Sequence, residues 1–102
     1  MDHNEGIAQF TQYLNRRFPG RRTVIDYVSD VHQFVAVCPK PWRSVTLQDI
    51  DVFVDQQREG GLSPATIERR VAALKTFFEF YAEEMNRLEQ ANPVQPWRQS
   101  PK

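Results

Sequence analysis

The chain has 102 residues, enough for one domain and too few for an enzyme assembled from separate catalytic and cofactor domains. A hydrophobic content of 40% with 12% aromatics supports a packed core and excludes disorder throughout. Thirteen Lys and Arg balance thirteen Asp and Glu, so the formal charge is zero and only a local basic patch can hold a polyanion.

Hydrophobic period and punctuation predict an all-α chain of four helices, near residues 5–18, 23–37, 47–59 and 64–88. In the first, Ile7, Phe10, Leu14 and Phe18 form one stripe of a 3.6-residue period, and Pro19-Gly20 stops it. The second is predicted to begin at Thr23, whose hydroxyl would cap the first turn, with Asp26 three residues on. Val24, Tyr27, Val28, Val31, Phe34 and Val35 then share one helical arc, whereas strict alternation would split them between two faces. Pro39 and Pro41 bracket a loop from which Trp42 is expected to fold back over the core.

The third helix carries a capping box and a hydrophobic staple: Val45 precedes cap Thr46, with Asp49 and Ile50 following. Leu47, Ile50, Phe53 and Val54 are expected to face inward, and Gly60-Gly61 ends the helix. The fourth opens on Leu62, cap Ser63 and Pro64, which has no N–H to waste at the first helical position. Its apolar stripe reads Ile67, Val71, Leu74, Phe78, Tyr81 and Met85, leaving Phe77 and Phe80 off-centre. Asn92-Pro93, Pro96 and Pro101 forbid regular structure, so residues 1–90 read as the helical domain and 91–102 as an extended, Pro-rich linker.

No catalytic constellation assembles. His3, His32 and Cys38 lack the spacing of zinc ligands, so no metal or other cofactor is expected. Asp51 and Asp55, four residues apart on the third helix, read as a solvated acidic face. A nucleophile elbow, a phosphate-cradling glycine loop and a HExxH sequence are all missing. One cysteine excludes an internal disulfide, and with no apolar run near about 18 residues and no signal-like start the chain reads as cytoplasmic, without a membrane partner.

What stands out is charge placement. Arg16, Arg17, Arg21 and Arg22 surround the first turn with no acid between them. Arg69, Arg70 and Lys75 occupy the first half of the fourth helix, while Glu79, Glu83, Glu84 and Glu89 crowd the second, against the preference of the helix dipole. On a helical wheel Thr66, Arg69, Arg70 and Ala73 lie beside the core stripe and mostly outside it. That mixture of hydroxyl, guanidinium and small residue suits a major groove. Helix N-termini at Thr23 and Ser63 add backbone N–H groups for phosphate.

The stretch Gly60 to Tyr81, GGLSPATIERRVAALKTFFEFY, resembles the last long helix of the SAM-like core-binding domain of phage-integrase-type tyrosine recombinases. Thr23 to Phe34, TVIDYVSDVHQF, is similar to the family's second helix, and Trp42 to Phe53, WRSVTLQDIDVF, to the start of its third. The resemblance spans Phe10 to Pro93 and implies a four-helix clamp half whose second and fourth helices cross the major groove of double-stranded DNA. It implies Arg21, Arg22, Thr23, Ser63, Ala65, Thr66, Arg69, Arg70 and Ala73 as the DNA-binding residues. The cleavage set of such enzymes (Arg, Lys, His-x-x-Arg and a nucleophilic Tyr) cannot be placed here, and Tyr13, Tyr27 and Tyr81 are not candidates for the nucleophile.

The expected partners are therefore double-stranded DNA, a catalytic domain of the same full-length protein beyond the linker, and neighbouring protomers in a synaptic tetramer. The competing reading is a helical protein-interaction module, with Phe77 and Phe80 as its apolar surplus.

Overall fold

A computed structural model describes residues 2–91: α1 (His3–Arg17), α2 (Arg22–Val37), a short 3-10 helix (Trp42–Ser44), α3 (Leu47–Glu59) and α4 (Pro64–Ala91). There is no strand among the described residues, so the chain is all-α as its hydrophobic period predicts. Of the segment read as a linker, 91–102, Ala91 is still the last residue of α4, and residues 92–102 lie outside the described residues.

Each helix boundary has a local cause. The Asp2 carboxylate accepts from the Glu5 N–H at 2.7 Å and the Glu5 side chain accepts from the Asp2 N–H at 3.2 Å. This capping box starts α1 two residues before the expected position. Arg21 N–H donates to the Phe18 carbonyl at 3.1 Å across a turn in which Gly20 takes φ +71°, a left-handed conformation that suits glycine. That turn leaves Arg21 extended, so Arg21 and not Thr23 is the N-cap of α2, and no side chain caps the helix. Thr23 sits half-buried in the first turn.

The starts of α3 and α4 follow the sequence reading. Thr46 Oγ1 accepts from the Asp49 N–H at 3.2 Å, while Asp49 Oδ2 accepts from the Thr46 N–H at 2.9 Å. Ser63 Oγ accepts from the Thr66 N–H at 3.3 Å. Between them α3 ends in a Schellman pair, Leu62 N–H to Gln57 O at 3.3 Å and Gly61 N–H to Arg58 O at 3.0 Å, with Gly61 at φ +83°.

Packing centres on α4, which receives α2 most extensively and α1 and α3 beside it. Phe10 and Leu14 of α1, Val31 and Phe34 of α2, Phe53 of α3, and Leu74 and Phe77 of α4 are fully buried. Trp42 folds onto this core as expected: its ring centroid lies 4.4 Å from that of Phe77, and its indole N–H donates to the Asp2 carbonyl at 3.2 Å. The indole lies so close to Gly6 that any β-carbon there would collide with it.

The buried arc of α4 is rotated by about one residue position from the expected stripe. Phe77 and Phe80 are buried, Phe78 is half-buried, and Val71 is 37% exposed. A helical wheel weighs the apolar residues of one helix in isolation. Here α1 and Trp42 cover the Phe77 and Phe80 flank, where Phe77 meets Phe10 edge to face at 5.1 Å. Likewise Leu47, expected to face inward, is 75% exposed.

Candidate nucleic-acid interface

The basic turn keeps its cations at the surface. Arg16 and Arg17 end α1 exposed, with the Arg17 guanidinium 4.3 Å from the centroid of the Tyr13 ring. Arg21 is exposed, and Arg22, whose side chain is 82% exposed, makes only a long contact of 3.5 Å to Asp26 Oδ1. No side chain caps α2, so its first turn offers N–H groups without a hydroxyl or carboxylate partner beside this cluster, while the Val24 N–H donates to the Arg21 carbonyl at 3.2 Å.

At the start of α4, Ser63 and Thr66 engage each other, Ser63 Oγ donating to Thr66 Oγ1 at 3.0 Å. Ala65 is exposed and Thr66 half-buried. One turn further, two expectations need correction. Arg69 and Arg70 do not point away from the fold; both converge on Asp30 of α2. Arg69 Nε donates to Asp30 Oδ2 at 2.9 Å and Arg69 Nη2 to Asp30 Oδ1 at 2.7 Å. Arg70 Nε lies 3.4 Å from Asp30 Oδ1, and Arg70 Nη1 donates to the Gln57 side-chain carbonyl of α3. Ala73, expected at a base edge, is fully buried and meets no solvent.

The cause is the Asp30 carboxylate, which is fully buried between α2 and α4. A buried carboxylate is tolerated only when its charge is paired and its oxygens are hydrogen-bonded, and the two arginines supply both conditions. Hydrogen bonds to Asp30 in turn hold the Arg69 guanidinium above its ordinary basicity. Arg69 nevertheless stays 39% exposed, and its Nη1 edge takes no part in the fork with Asp30. Arg22, Arg69 and Arg70 thus oppose Asp26 and Asp30, three cations against two anions along the α2–α4 edge.

Sequence reasoning missed Asp30. Its signal was an acid flanking the apolar arc of α2, one turn before Phe34, where a carboxylate covered by a neighbouring helix demands a partner from that element.

Several polar groups elsewhere have structural partners. His3 Nε2 lies 2.7 Å from the Lys40 carbonyl, Lys40 Nζ donates to Asp49 at 3.0 Å, and the exposed Asp55 meets Arg58 at 3.5 Å. Asp51 and His32 are exposed. Among the described residues no cluster of His, Cys, Asp and Glu could hold a metal ion. No helix there is long and apolar enough to cross a membrane.

Residues 7–85 match the family model of the phage integrase N-terminal SAM-like domain. The chain belongs to that family. It is 28% identical over 92 residues to the tyrosine recombinase XerC of Bacillus licheniformis, covering 85% of this chain and 30% of that protein. It is 34% identical over 82 residues to the tyrosine recombinase XerC of Roseiflexus sp. (strain RS-1), covering 76% of this chain and 26% of the relative. The chain therefore spans less than a third of the length of these relatives. No solved structure gives a significant match.

Proposed function

We propose that this SAM-like domain binds double-stranded DNA as the core-binding part of a site-specific tyrosine recombinase. The family match carries the reading, since the relatives are recombinases and recombination acts on DNA. The surface supports it. Arg21 and Arg22, beside the uncapped α2 terminus with Thr23, suit backbone phosphates, and Ser63, Ala65, Thr66 and Arg69 open the α4 side. Arg70 acts at one remove by sharing Asp30, and Ala73 serves the core. Strand cleavage, synaptic contacts between protomers and a catalytic domain reached through residues 91–102 belong to the full-length recombinase in this reading.

Fluorescence anisotropy with a labelled random duplex at two salt concentrations tests it. Affinity should fall by about 40-fold between 50 and 200 mM salt if some three phosphates are contacted. Salt-independent or undetectable binding contradicts the reading.

One observation favours a protein-interaction surface instead. The groove between α3 and α4, of 610 Å³, is lined by Val45, Leu47, Ile50, Val71 and Phe78 and is predominantly apolar. This replaces Phe77 and Phe80, which are buried and present no surplus.

A further inference from the structure

We propose that Asp30 is a positioning residue for DNA contact: it holds Nε and Nη2 of Arg69 and thereby aims the free Nη1 edge at a backbone phosphate. This role rests on the duplex-binding reading above and assigns to a buried acid a part in holding a polyanion.

Three observations carry it. First, the fork is bidentate, with contacts of 2.9 and 2.7 Å, and this fixes the guanidinium in one plane. An arginine on an open helix face would lose rotamer freedom on binding, and here that ordering has already occurred in the free protein. Second, Arg69 is not neutralised. Arg70 Nε lies 3.4 Å from the same carboxylate, so two cations share one anion and the cluster keeps a net positive charge. Third, the approach is open. The Arg69 side chain stays 39% exposed, and Ala65, one turn before it on α4, is exposed and ends at its methyl group.

The test turns on sign. Asp30→Asn removes a negative charge beside the proposed interface, so electrostatics alone would tighten binding to duplex. Loss of positioning would weaken it, roughly tenfold, despite the more favourable charge. Affinities for a labelled 30-base-pair duplex are measured at one salt concentration, with circular dichroism to establish that each variant is folded. Asp30→Glu keeps the buried charge but moves the carboxylate by one methylene, and it should weaken binding by roughly threefold. It decides the matter if Asp30→Asn fails to fold. Arg69→Lys keeps the cation and loses the second edge; in that background Asp30→Asn should no longer weaken binding.

If the parent binds duplex and the folded Asp30 variants bind equally well or more tightly, the positioning role is overturned and the duplex reading stands. If the parent shows no salt-dependent binding, both fall together.

Discussion

Arg69 and Asp30 lie 39 positions apart in the chain and meet through two parallel hydrogen bonds at the crossing of α4 and α2. The carboxylate is fully buried, and its second cation is Arg70. The pair therefore belongs to the fold as much as to the surface. Asp30→Ala should destabilise the domain by about 3 kcal/mol, the lower end for a broken buried pair because Arg69 retains partial access to water. Arg69→Ala should cost about 1 to 2 kcal/mol, since Arg70 remains to offset the charge. Urea unfolding followed by circular dichroism measures both; unchanged midpoints would mean that Asp30 is solvated.

The same pair shows what the sequence can reveal. Capping residues act within one turn, so Thr46 with Asp49, and Ser63 as the cap of α4, were legible from short local patterns. The Schellman end of α3 was likewise written in Gly60-Gly61. Thr23 misled because the tight turn at Gly20 hands helical geometry to Arg22 first. The orientation of α4 was not legible from its own wheel, because the flank bearing Phe77 and Phe80 is chosen by Phe10 and Trp42. Arg69 looked like a free surface cation for the same reason: its partner is on another helix.

Trp42 ties the loop after α2 to α1 and α4 through Phe77, His3 and the Asp2 carbonyl. Trp42→Ala should destabilise the domain by about 3 to 5 kcal/mol, as for other large aromatic truncations in a core. Gly6→Ala forces the indole to move and should destabilise it by about 1 to 3 kcal/mol. Near-ultraviolet circular dichroism should weaken in both, and a native spectrum with a parental melting temperature would contradict the packing described.

Asp49 titrates below the ordinary carboxylate range, held down first by the Thr46 backbone N–H and then by Lys40. A carboxyl group whose folded value is depressed stabilises the fold above its unfolded value, about 3.9, and loses that contribution as the pH falls through the folded value. The melting temperature of Asp49→Asn should therefore lie below that of the parent at pH 7. The gap should close as the pH is lowered below about 4. A gap independent of pH would assign Asp49 a purely steric role.

Arg22 carries little structural duty, with an 82% exposed side chain and one long ion pair within its own helix. Arg22→Ala should leave stability within about 0.5 kcal/mol of the parent. On duplex DNA it should reduce the slope of log affinity against log salt by about one unit, as expected for one lost phosphate contact. An unchanged slope would remove Arg22 from the interface.

DNA is expected to meet the α2–α4 edge, and nuclear magnetic resonance locates that surface directly. In a titration of isotope-labelled domain with duplex, backbone amides of residues 21–24 and 65–70 should shift first and most, together with the Arg69 side-chain Nε–H. Amides around Leu47, Ile50 and Phe78, which line the α3–α4 groove, should stay in place. Shifts confined to the α3–α4 groove, or none at saturating duplex, would mean that duplex does not bind at the α2–α4 edge.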